Sequence, residues 1–125
     1  MSRSAKSVLV FGIYLGLIGV IFLIVPNLLL TPFGIEPTDE VWIRLSGILL
    51  MAIAVYYIIA AKQELIVIMK ATAYIRFTII FFFTAFTLLE FVSSTIILFA
   101  VIDFLGGIWT LLMLKKEGHI GSKPI

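Results

Sequence analysis

The stretch Ser7-Val-Leu-Val-Phe-Gly-Ile-Tyr-Leu-Gly-Leu-Ile-Gly-Val-Ile-Phe-Leu-Ile-Val-Pro-Asn-Leu-Leu-Leu30 decides the fold. It lies in a run of 29 residues, 7 to 35, that carries no charge. About 20 apolar residues rising 1.5 Å each cross the roughly 30 Å of bilayer hydrocarbon. The stretch therefore reads as a transmembrane helix. Its apolar part exceeds the roughly 7–15 residues of a signal-peptide core, and no Ala-x-Ala cleavage site follows, so it is expected to remain as a first span. Pro26 has no N–H to donate and is expected to kink or end that helix.

The remainder of the 125 residues follows suit. Hydrophobic residues make up 62% and charged residues 13%, with a mean hydropathy of +1.24, against roughly half and a quarter in globular chains. Turn residues and charges divide the sequence into four apolar runs, at approximately 8–30, 41–61, 67–89 and 93–114. The first link, residues 31–40, holds Pro32, Gly34 and Pro37, all turn formers. Thr38 or Asp39 is expected to cap the second span, with Glu40 near its positive end. The second link is a tight polar turn at Lys62, Gln63 and Glu64, and the third is only residues 90–94. Links this short make consecutive helices antiparallel neighbours. The expected fold is all-α: one integral-membrane domain over residues 1–125, a four-transmembrane-helix up-down bundle.

Orientation follows from the basic residues. Arg3, Lys6, Lys62, Lys70, Lys115, Lys116 and Lys123 all fall on one side of this map, and the first and third links have none. The positive-inside rule then places both termini in the cytoplasm of a multi-pass plasma (inner) membrane protein. Lys70 is expected to snorkel to the headgroups. Trp42 and Trp109 sit where interfacial aromatic belts form.

Several chemistries are excluded. Without cysteine there is no disulfide, thiolate nucleophile or iron–sulfur cluster. A single histidine, His119 in the tail, supports neither a metal site nor metal catalysis, and no cofactor is expected. The net charge of +2 is not gathered into a patch interleaved with aromatics, so nucleic acid is not a partner. Membrane lipids are.

Charges within the spans carry the functional question, because such groups face the bundle interior and find partners. Asp103 falls near the middle of the fourth span and Arg76 roughly 5 Å to the cytoplasmic side of the middle of the third. Matched depth pairs Arg76 with Asp103 and, nearer the outside, Arg44 with Glu90. Tyr14, Tyr56, Tyr57 and Tyr74 all lie in the cytoplasmic half. Tyr74 points almost opposite to Arg76, which leaves Tyr14 and Tyr56 to offer hydroxyls to the pair. Together with Trp109 these residues form a candidate ligand pocket in the inner half of the bundle, opening toward the inner leaflet. An alternative stays open: the Arg–Asp pair is an inter-helix staple that sets register. Gly12, Gly16 and Gly19, and likewise Gly106 and Gly107, form small-residue stripes suited to close packing within or between protomers.

The run Pro26-x5-Pro32-Phe-Gly34, then Trp42-Ile-Arg44-Leu-Ser-Gly47 with Tyr56-Tyr57-x2-Ala60-Ala61, Arg76, and Phe99-x3-Asp103-x2-Gly106-Gly107-x-Trp109-Thr110 resembles small bacterial four-helix membrane proteins of the DoxX-like and BphX-like type. The resemblance covers nearly the whole chain and implies the four-helix architecture. Members are associated with oxidase complexes or aromatic-degradation operons. Wider relatives of the architecture resemble sterol isomerases and receptor-assembly chaperones, but the isomerases' catalytic carboxylates have no counterpart here, so no catalytic residue carries over.

The expected function is non-enzymatic: binding a lipid-like small molecule, or assisting assembly of a membrane-protein partner, through the intramembrane polar pocket. A second reading is a subunit of a small transporter, which at this size requires a homo-oligomer. Small multidrug exporters have the same span number but use a glutamate in the first span, which here has no charge. A third is a membrane enzyme acting on a lipophilic substrate, with proton transfer through Asp103.

Overall fold

A computed structural model describes residues 1–32, 34–91 and 96–119. The expected start of the fourth span at 93, Ser94 in the third link, and Lys123 lie outside these residues. Helix α1 runs Arg3–Ile24, α2 Asn27–Leu30, α3 Val41–Lys62, α4 Ile66–Leu88 and α5 Ile97–Lys116. Four of them, α1, α3, α4 and α5, are long and apolar enough to cross a bilayer. The protein is a four-helix, multi-pass membrane bundle.

The helix ends follow from local chemistry. Ser2 caps α1, its hydroxyl accepting from the Ala5 amide at 3.1 Å. Pro26 ends α1 rather than merely bending it, and one separate turn, α2, follows. Asn27 Oδ1 accepts from the Thr38 amide at 2.9 Å, which ties the first link back to α2. The cap of α3 is Glu40 through its extended backbone, not Thr38 or Asp39; the Thr38 hydroxyl accepts from the Glu40 amide instead. Helices α3, α4 and α5 each end with a paired i→i−5 and i→i−3 bond, as in Leu65 to Ala60 and Glu64 to Ala61. This closure needs a residue at positive φ. Of these three, only α5 uses glycine, at Gly118; Glu64 and Glu90 fill the position after α3 and α4.

Packing is inverted relative to a soluble protein. Large apolar side chains such as Leu17, Leu28, Phe81 and Leu88 face outward, since lipid is as apolar as any core. Small and hydroxyl-bearing residues fill the interior: Ala5, Ala54, Ala60, Ala61, Ala73, Ala100, Ser4, Ser7, Thr72 and Thr110. Helix α1 lies between α3 and α5, and α4 packs on α5. The glycine stripe of α1 is used within this chain, against α3: a Cβ on Gly19 would meet the Gly47 carbonyl at 2.7 Å, and one on Gly12 would meet Tyr57 Cβ at 2.9 Å. Gly107 likewise lets α5 approach the Ala73 carbonyl on α4. Despite their tight turn, α3 and α4 touch little. Where they stand apart, a cavity opens between all four spans.

The start of α1, the α3–α4 turn and the end of α5 meet at one end. The Ser2 amide donates to Glu64 at 3.3 Å, and the Ser4 amide and hydroxyl both donate to Glu117. Hydrogen bonding from Ser2 holds the Glu64 carboxyl below the usual glutamate range. Two carboxylates thus sit at the positive end of α1.

Candidate functional site

Arg76, only 2% exposed, is the largest fully buried side chain. Its Nε donates to the Thr72 carbonyl at 3.2 Å, and its Nη2 donates to Thr110 Oγ1 at 2.9 Å and to Thr72 Oγ1 at 3.4 Å. The guanidinium carbon lies 4.5 Å from the Phe11 ring centroid and 5.7 Å from that of Tyr57, at cation–π distance. Among the described residues its Nη1 has no hydrogen-bond partner. Gly106 leaves room for this atom, since a Cβ there would stand 3.2 Å from Nη1 and collide with the Phe11 ring.

A polar column continues from Arg76 toward the start of α1 and the end of α5. Ser7 and Thr110 hydroxyls are 2.7 Å apart, and Ser7 donates to the Ser4 carbonyl at 2.6 Å. With one proton each, Thr110 must then be the donor to Ser7. The donors therefore run in one direction, from guanidinium to Thr110 to Ser7 to the Ser4 carbonyl. One residue's backbone away, the Ser4 hydroxyl donates to Glu117. Sequence reading passed over Ser4, Ser7, Thr72 and Glu117. Their signals were the i, i+3 spacing of Ser4 and Ser7 on the Phe11 face of α1, and Thr72 one turn before Arg76.

The expected ion pairs do not form. Among the described residues no ion pair joins Arg76 to Asp103; the Arg76 Nη1 lies beside Gly106, one turn from Asp103 on α5. A helical side chain leans toward the N-terminus of its own helix, which in α4 is the end at the α3–α4 turn. Arg76 follows this lean to Thr72 and reaches Thr110, about 10 Å below Asp103 on α5 at 1.5 Å per residue. Equal depth of the Cα atoms was the wrong measure. Arg44 does not pair with the exposed Glu90 either. Its Nη1 donates to the Leu23 carbonyl and, at 3.5 Å, to that of Ile24. Pro26 has freed acceptors at the end of α1, and a cation there also suits the helix dipole.

The tyrosines divide differently from expectation. Tyr57, 8% exposed, is the one beside Arg76, whereas Tyr56 is 68% exposed and faces outward. The buried face of α3 runs through Gly47, Ala54, Tyr57 and Ala61, and Tyr56, like Arg44, is exposed on another. Tyr74 and Trp109 lie on the outer surface. Lys70 is 8% exposed, so its stem is covered by protein rather than lying along lipid.

Asp103 and Tyr14 belong to a second arrangement. They lie at the mid-depth floor of a cavity of about 360 Å³, whose other walls are apolar: Ile18 and Phe22 of α1, Leu30 of α2, Leu50 of α3, Phe83 of α4 and Phe99 of α5 among them. The cavity occupies the half of the bundle away from the α3–α4 turn, not the half where the pocket is expected from the sequence. Tyr14 packs edge-on against Phe11, ring centroids 5.2 Å apart, and Phe11 in turn covers Arg76. The polar column and the cavity therefore meet at Phe11, Tyr14, Asp103 and Gly106. Comparison with protein-family models, curated proteins and solved structures returns no match.

Proposed function

We propose that this protein binds a lipid-like small molecule inside the bilayer, without catalysis, in the cavity between its four spans. The observation that carries this reading is the composition of the cavity: eleven apolar residues and, on its floor, Tyr14 and the carboxylate of Asp103. Ligand sites have this character, mostly apolar with a few polar groups that orient the guest, and volumes of about 300–1,000 Å³. An inter-helix staple needs no such space. In this proposal the membrane is the plasma (inner) membrane and the end rich in Arg3, Lys6, Lys62, Lys115 and Lys116 is cytoplasmic. The cavity then lies in the outer half. The DoxX-like and BphX-like resemblance belongs to the proposal and rests on the residues of its motifs.

Native mass spectrometry of the protein released from a mild detergent tests the reading. Wild-type protein should carry a co-purifying molecule, and Leu50→Trp, which fills the cavity, should lose it while retaining its helical content. Equal occupancy in both, or none in either, would refute it.

A further inference from the structure

The charges beneath the cavity restrict what its guest can be. Arg76 is fixed by Thr72 and Thr110 and covered by Phe11. Its positive charge has no ion-pair partner among the described residues, and its Nη1 lies beside Gly106, one turn from Asp103 on α5, so the Asp103 carboxylate is its balance. A cationic guest seated on Asp103 would take that balance and leave Arg76 as an unmatched buried cation, which is costly in low dielectric. An anionic guest would face the carboxylate directly. A guest without charge disturbs neither. The floor also sets the polarity of the contact: a carboxylate accepts hydrogen bonds and has none to give.

Resting on the cavity reading above, we infer that the ligand is a neutral lipophile whose single polar head donates a hydrogen bond to Asp103, an alcohol, phenol or amide N–H, with its tail among Ile18, Phe22, Leu50, Phe83 and Phe99. Tyr14, at the same floor, accepts from or donates to that head but is not the group that selects it.

Four probes with the same tail separate these cases: 1-dodecanol, dodecyl methyl ether, dodecyltrimethylammonium and dodecanoate. Each is titrated into phosphatidylcholine nanodiscs containing the wild-type protein, and specific binding is the part abolished by Leu50→Trp. A hydrogen bond to a charged acceptor amounts to about a tenfold or greater preference, so dodecanol should bind at least about tenfold more tightly than the ether and than either ion. In Asp103→Asn, where the acceptor is a neutral amide, that preference should fall to a few-fold; Tyr14→Phe should keep it within about twofold. Tightest binding of the ammonium or the carboxylate, or equal binding of ether and alcohol, overturns the inference while leaving the cavity reading intact. An undiminished preference in Asp103→Asn, or its loss in Tyr14→Phe, overturns Asp103 as the acceptor. Absence of specific binding by all four overturns the inference and the cavity reading together.

Discussion

Replacing Gly106 by alanine adds one methyl group where α1, α4 and α5 meet. That methyl would stand 2.7 Å from Phe11 Cδ2, closer still to Cε2, and 3.2 Å from Arg76 Nη1. Phe11 cannot swing freely, because its face lies 4.5 Å from the guanidinium and its edge meets Tyr14. Overpacking a filled core costs about 1–3 kcal/mol, and a desolvated cation–π contact is worth about 2 kcal/mol. The better helix propensity of alanine returns about 1 kcal/mol. Gly106→Ala should therefore destabilise by about 2–4 kcal/mol. Gly16→Ala supplies the control: its Cβ would meet only Ala54 Cβ, at 3.5 Å, an ordinary contact, so the change should be neutral or stabilise by up to about 1 kcal/mol. Reversible unfolding in mixed micelles, followed by helical circular dichroism, measures both. Wild-type stability in Gly106→Ala, or comparable losses in the two variants, would refute the packing described at Arg76.

Thr110→Val removes the nearest acceptor of Arg76 and the donor to Ser7, and should cost about 1–3 kcal/mol in the same assay; Asp103→Asn removes a charge that balances Arg76 without direct contact, so it should cost less than the roughly 3–5 kcal/mol of a broken buried ion pair, and a loss of that full size would restore direct pairing. Arg44→Ala should lose about 1 kcal/mol of capping at α1, and a double-mutant cycle with Glu90→Ala should show no coupling. The Glu64 carboxyl is held below its ordinary range by Ser2, so its contribution is present above the unfolded glutamate range and is lost as pH falls through the lower folded value. Amide protection factors at the start of α1, corrected for the intrinsic pH dependence of exchange, should fall on acidification below that range, and Glu64→Gln should abolish this part of the pH dependence; an unaltered profile would count against the clamp. Glu90→Gly should be neutral or stabilise by up to about 1 kcal/mol, since Glu90 holds φ at 62°, and a clear loss would show that its side chain has a partner.

The number of spans, the break at Pro26 and the gathering of basic residues at one end were legible in the sequence, because each depends on local hydropathy or on a backbone property of one residue. The faces of the helices were not. In a soluble helix the apolar stripe marks the buried side, but here lipid-facing and buried positions are both apolar, and the 3.6-residue period has little contrast to work on. Tyr56 and Tyr57 differ by one residue and exchange outside for inside; only the seating of Gly19 on Gly47 and of Gly12 on Tyr57 decides between them. The same holds for Arg76 and Asp103. Depth along the chain brings them within an arginine's reach, whereas the lean of the arginine toward Thr72, the hydroxyls of Thr110 and Ser7 from two other helices, and the parting of α3 from α4 send one into a packed polar column and the other to the floor of a cavity.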